Sequence, residues 1–226
     1  MSSQATQGEE PIAVDRYDTA TRINHWITAV CLILLALSGL ALFHPSLFFL
    51  TSFFGGGEVA RIVHPWLGVV VFFSYVGLFI RFWRACLLAP EDVTWLLRMG
   101  DALTGHEEKL PEIGKYNPNQ KTYFWIMSVL VIVLLVSGLM LWDAYFAAYT
   151  TVDQKRIAVL VHATTAIVVI LAVIVHIHMV LWERGTLRGM TRGWVTGGWG
   201  WKHHRKWLKE VITGKPAGNV GSPPAE

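Results

Sequence analysis

Charge is scarce in this chain, and so is cysteine. Only 15% of the 226 residues are Asp, Glu, Lys or Arg, 53% are hydrophobic, and the mean hydropathy is +0.43. That balance excludes an ordinary soluble domain and places the chain among membrane proteins. The two cysteines, Cys31 and Cys86, form no CxxC or CxxCH, which excludes covalent haem attachment and any iron–sulfur or zinc site built from them. Cys31 lies inside an apolar run and reads as a small packing residue. The net charge of +3 is small, and no nucleic-acid partner is expected. A charged-then-apolar leader with a cleavage motif is also missing, because the first 24 residues are polar and carry Glu9, Glu10, Asp15 and Asp18. Insertion is therefore expected to use the first hydrophobic helix as an uncleaved signal.

What the chain does have is long apolar runs. The expected fold is all-α: a bundle of four transmembrane helices, spanning about 25–43, 62–83, 123–145 and 157–182. Residues 1–15 and 211–226 are expected to be disordered, with a single membrane domain over 16–210. Residues 17–24 read as a short amphipathic lead-in, and 47–54 (LFFLTSFF) as an interfacial segment too short to span. Residues 93–103 read as a surface helix with Trp95 at the headgroups. No convincing internal repeat is visible, although SGL recurs at 38–40 and SGLM at 137–140, late in each span. Lys and Arg crowd the 84–122 connection and the tail beyond 183, whereas the other two loops carry only Arg61, Lys155 and Arg156. The positive-inside rule then puts both termini in the cytoplasm.

The last span, IAVLVHATTAIVVILAVIVHIHMVLW, organises the rest. His162 and His176 are 14 residues apart, about 21 Å and close to four whole turns, so both leave one face at different depths. Imidazoles inside a membrane helix need an interior partner. By depth, His64 of the second span pairs with His162, and His25 of the first with His176. Each is a bis-histidine set from two helices, the usual way a bundle holds a b-type haem. No ligand-competent Cys or carboxylate lies at these depths, which disfavours zinc and di-iron carboxylate sites. Gly39, Gly68 and Gly138 leave room either for a porphyrin or for close helix packing. His178, roughly 200° round the helix from His176, points away from the ligand face. His44 reads as interfacial, His106 as a loop residue, and His203 and His204 as contacts to phospholipid.

With these residues placed, the chain resembles the cytochrome b (gamma) subunit of bacterial respiratory formate dehydrogenases of the N/O type. The resemblance covers about residues 14–210. It rests on Arg22–Trp26, the SGL of the first span, RIVHPWLG at 61–68, TWLL at 94–97, GKYNPNQK at 114–121, the two-histidine fourth span, RGMTRG at 188–193 and the WKHHRKW tail element. It implies two non-covalent haems b ligated by His25, His64, His162 and His176. It also implies a quinone site, for menaquinone or ubiquinone, on the cytoplasmic side, with Gly114, Asn117, Gln120 and His176 as its contacts. The sequence departs from the family pattern at Asn119, where the family usually has Gly.

The resemblance further implies an electron-transfer and quinone-reducing subunit in the bacterial inner membrane. Its partners would be an iron–sulfur beta subunit and a catalytic molybdenum or tungsten alpha subunit, in a heterotrimer that could assemble further. Formate oxidation would occur in the alpha subunit, and no catalytic residue is expected here. Within the class, the alternative is the cytochrome b of a nickel–iron hydrogenase or thiosulfate reductase. Outside it, the alternative is a haem-free anchor or a small metal or proton transporter.

Overall fold

The structure is a computed structural model, and it describes residues 12–104, 106 and 110–214. In chain order, strand β1 (Ala13–Asp15) precedes helix α1 (Thr19–Phe43), a 3-10 segment (Pro45–Phe54) and α2 (Gly57–Phe82). Short helices α3 (Pro90–Leu97) and α4 (Met99–Leu103) lead to α5 (Pro118–Leu141), α6 (Asp143–Phe146) and α7 (Val152–Trp182). The chain closes with α8 (Thr186–Arg192), β2 (Trp194–Thr196), α9 (Gly197–His203) and α10 (Arg205–Thr213).

The described residues divide into two compact units. One, Thr19–Leu87 with Gln120–Glu183, is the four-helix unit. Its helices α1, α2, α5 and α7 have 25, 26, 24 and 31 residues, all long and apolar enough to cross a membrane. Even the shortest spans about 36 Å, more than a hydrocarbon core of about 30 Å. Large apolar side chains such as Phe73, Ile80 and Leu171 face outward, as a lipid-facing surface requires.

Every span is longer than expected at its N-terminus, for local reasons. No Pro or Gly breaks residues 19–27, so the lead-in and the first span form one helix. Gly57 opens α2, with Glu58 in its first turn. Pro118 opens α5, where a missing N–H costs nothing. Thr151 caps α7, its hydroxyl accepting from Gln154 N while the Gln154 side chain accepts from Thr151 N. At the other end, α5 stops at Leu141 rather than near 145, and Asp143 starts the separate α6.

Polar contacts fix α1 against α2. Asn24 Nδ2 donates to Ser74 O (3.0 Å), Ser74 Oγ donates to Asn24 Oδ1 (2.6 Å), and Thr28 Oγ1 lies 2.7 Å from Ser74 Oγ. The approach is close enough that a Cβ on Gly77 would sit 2.6 Å from Asn24 Nδ2. Tyr75 joins α2 to α5, its hydroxyl donating to Phe124 O (3.0 Å). At the opposite end Trp66, Trp142 and Tyr145 form an edge-to-face cluster.

The other unit, here the loop-and-tail unit, contains described residues 12–18, 184–214 and those between Leu88 and Asn119. β1 and β2 pair antiparallel, Val14 opposite Val195. Both valines join Trp199, Trp207 and Leu208 in one core, which is why residues 13–15 form a strand rather than part of a structureless terminus. Residues 1–11 and 215–226, the rest of the expected disordered ends, lie outside the described residues. Residues 211–213 belong to α10, which ends at Gly214 in the left-handed region, φ 65°. Glu112 pairs with Lys209 (2.8 Å), and Glu91 with Lys206 (3.3 Å), tying the 88–112 connection to α10. The expected single surface helix at 93–103 is instead α3 plus α4, and the Trp95 side chain is buried rather than exposed to headgroups.

Candidate functional site: two histidine pairs sharing one helix

Four histidines expected from the sequence come together in two pairs. His64 of α2 faces His162 of α7, ring centres 6.2 Å apart, and His25 of α1 faces His176 of α7 at 6.4 Å. Helix α7 thus contributes one ring to each pair, at positions 14 residues apart. His178 is exposed, its ring beside Trp182, on another side of α7. His44 caps the 3-10 segment by accepting from Ser46 N (3.2 Å).

The His64–His162 pair rests on two matching elements that the sequence shows only as a recurring tripeptide. Ser38 Oγ lies 2.8 Å from His64 Nδ1, and Ser137 Oγ 2.9 Å from His162 Nδ1. Each hydroxyl already donates to its own helix, Ser38 to Leu34 O (2.9 Å) and Ser137 to Val133 O (2.6 Å). A hydroxyl has one proton, so both serines accept from Nδ1–H, and the free lone pair of each ring sits on Nε2. The adjacent glycines complete the cradle: a Cβ on Gly39 would lie 3.2 Å from His64 Cε1, and one on Gly138 3.2 Å from His162 Cε1. Gly68 meets nothing within 4 Å, so it has no such part.

The His25–His176 pair is built differently. His25 Nδ1 is buried with no hydrogen-bond partner among the described residues, and its ring meets Trp26 edge-on. His176 stacks on Tyr123, ring centres 4.9 Å apart and planes 17° from parallel.

Both pairs fit a metal held between imidazoles. Two metal–imidazole bonds of about 2 Å, plus about 1.1 Å from each nitrogen to its ring centre, span about 6 Å. No cluster of three or more His, Cys, Asp or Glu occurs among the described residues. Two protein donors alone leave most of a metal's coordination sphere to a macrocycle, which matches haem and not a structural zinc or di-iron site.

The residues expected around a quinone divide between the units, Gly114 and Asn117 in the loop-and-tail unit, Gln120 and His176 in the four-helix unit. Asn117 immediately precedes α5 and Gln120 lies in its first turn. The stretch 114–115 is gripped by two residues that sequence reasoning missed. His204 is fully buried, not at a lipid surface, and its Nδ1 donates to Gly114 O (2.8 Å). Arg16, 5% exposed, donates to Lys115 O (2.7 Å) and to His204 Nε2 (3.3 Å). Its guanidinium packs on Trp199 and Trp207, 4.6 and 4.8 Å from the ring centres. Burial, then the Arg16 charge, holds His204 well below its ordinary pKa, so it stays neutral, consistent with one ring nitrogen donating and the other accepting. Burial likewise lowers the Lys115 ammonium, with Arg16 adding to the effect.

Comparison with known proteins points the same way. A family model for prokaryotic cytochrome b561 matches residues 16–193. The chain is 40% identical over 196 residues to the "formate dehydrogenase, cytochrome b556(fdo) subunit" of Escherichia coli K12, covering 87% of this chain and 92% of that one. It is 38% identical over 190 residues to the nitrate-inducible cytochrome b556(Fdn) subunit of the same strain, covering 84% and 88%. The formate dehydrogenase cytochrome b556 subunit of Haemophilus influenzae is 34% identical over 200 residues, covering 88% and 84%. The chain belongs to the prokaryotic cytochrome b561 family, together with these formate dehydrogenase cytochrome b556 subunits. It is a multi-pass membrane protein of the b-type cytochrome class.

Proposed function

We propose that this chain is the membrane-anchoring dihaem cytochrome b subunit of a respiratory formate dehydrogenase. It would carry electrons from a periplasmic iron–sulfur subunit across the inner membrane to quinone on the cytoplasmic side. The observation that supports this best is the pair of histidine sets that share α7, alike in ring separation and about 21 Å apart along that helix. His64 and His162 would ligate one haem b near the periplasm, and His25 and His176 the other near the cytoplasm. Bound there, the haems supply one-electron carriers at two depths. The four-helix unit holds those ligands in a low-dielectric interior and keeps water from them.

Moving an electron inward works against the membrane potential, about 2.3 kcal/mol per charge per 100 mV, so the arrangement conserves energy. Asn117 and Gln120, at the start of α5, with Gly114 and His176, are the proposed quinone contacts. They offer hydrogen bonds to quinone carbonyls, and protons would come from the cytoplasm, where both termini lie. Formate oxidation belongs to a molybdenum or tungsten alpha subunit, reached through the iron–sulfur beta subunit.

A reduced-minus-oxidised spectrum with a haem assay on the purified chain tests this reading. Two b-type haems per chain are expected, and a stable haem-free protein would end the proposal. Co-purification separates the partners: an iron–sulfur protein with a formate-oxidising subunit is expected, and a nickel–iron hydrogenase in their place would overturn the formate assignment.

A further inference from the structure

The two histidine pairs have nearly the same ring separation but not the same surroundings. At one, both Nδ1–H groups donate to serine hydroxyls, His64 to Ser38 and His162 to Ser137. At the other, His25 Nδ1 is buried without an acceptor among the described residues, and His176 is flanked by the face of Tyr123. The serines are placed by equivalent geometry: each sits late in its helix, returns its own proton to the preceding turn, and is followed by the glycine that seats the ring. Ser38 is 0% and Ser137 4% exposed, so water does not compete for either bond.

We infer that Ser38 and Ser137 are positioning residues that make the His64/His162 haem the lower-potential of the two. An acceptor on Nδ1–H pushes electron density toward Nε2 and makes the imidazole a stronger donor. A stronger axial donor favours the oxidised iron, so its midpoint potential falls. No described residue offers His25 Nδ1 that acceptor, and its haem keeps the higher potential. Electron flow from the His64/His162 level to the His25/His176 level is then downhill in potential, in the direction that must oppose the membrane field. The serines also fix the tautomer, so that Nε2 is always the ligating nitrogen.

This inference rests on the dihaem reading above, and the experiment keeps the two apart. Purified protein in detergent is titrated potentiometrically at the haem α band, with low-spin ferric EPR recorded in parallel, for the wild type, Ser38→Ala, Ser137→Ala and the double variant. Wild type should titrate as two one-electron waves; fewer than two haems ends the dihaem reading itself. In each single variant one wave moves upward, its reduced-to-oxidised ratio changing about threefold, and the other wave stays. The double variant moves the same wave about tenfold, equivalent to about 59 mV. Ser38→Thr and Ser137→Thr keep the hydroxyl and restore the wild-type potential. Two haems with neither wave moved, or both waves moving together, overturn the inference. Should an alanine variant lose that haem, its threonine counterpart must retain it at the wild-type potential, and loss there too overturns the inference.

Discussion

In the four-helix unit large apolar side chains point outward, and its polar groups form a thin internal seam: Asn24, Thr28 and Ser74, then Ser38 with His64 and Ser137 with His162. In the loop-and-tail unit Trp199, Trp207, Arg16 and His204 are all buried, while Leu97 and Ile212 are exposed. The first unit needs lipid to cover it, because Phe73, Leu171 and their neighbours would otherwise meet water. The second has a core of its own. Each unit also treats its histidines differently. His64 and His162 give their Nδ1–H protons to serines and leave Nε2 free, which suits a ligand. His204 has both nitrogens engaged, by Gly114 O and Arg16, which suits a strut.

The comparison can be broken most forcefully at the proposed haem ligands. His64→Ala is expected to remove one of the two proposed haems per chain by haemochrome assay, while protease cleavage of the loop-and-tail unit does not change. Loss of neither haem would sink the pairing of His64 with His162. Next in size is Arg16→Ala, which removes charge-assisted hydrogen bonds to Lys115 O and His204 Nε2 together with the contacts to two tryptophans. A loss of about 2 kcal/mol is expected, read as a lower thermal midpoint in detergent and faster cleavage within residues 184–214. The haem spectrum per folded chain should not change.

A smaller effect concerns pH. His204 in the folded chain binds its proton only well below the ordinary value of 6.5, whereas the unfolded chain binds it near 6.5. Between these values the unfolded state carries more protons, so stability rises with pH there. Its contribution is complete above about pH 6.5 and is lost as pH falls toward the folded value, by at most about 1.4 kcal/mol per pH unit. His204→Gln, which can donate to Gly114 O and accept from Arg16, should flatten the fall in thermal midpoint between pH 6.5 and 5. An unchanged slope would assign the acid sensitivity to other groups. The smallest effect is expected at His178, exposed beside Trp182. His178→Ala should leave both haems and their spectra in place, and loss of either would give that residue a role the geometry does not show.

Much of the four-helix unit was legible because a bilayer imposes a simple requirement. Long uncharged runs show where the spans lie, and helical periodicity shows that His162 and His176 share a face. The span beginnings were misplaced by five or six residues because polar first turns such as Thr19–Asn24 and Val152–Arg156 carry no hydropathy signal, although Thr151 with Gln154 spelled a capping box. Ser38 and Ser137 were visible only as a repeated SGL, with nothing local to say that each faces a histidine some 25 residues away. The loop-and-tail unit was hardest to read. Val14 meets Val195, and Arg16 meets His204, across about 180 residues of chain. A basic, tryptophan-rich tail looks the same whether it wets a membrane or folds into a core.

The sequence by itself determined the membrane class, the number and approximate extent of the spans, and which histidines could stand at which depth, because those follow from composition and helix pitch. Only the tertiary structure decided what surrounds each ring: serine hydroxyls for His64 and His162, none among the described residues for His25 Nδ1, an aromatic face for His176, and a buried arginine for His204. Hydrogen-bond partners are set by which helix faces meet in space, and no one-dimensional period encodes that.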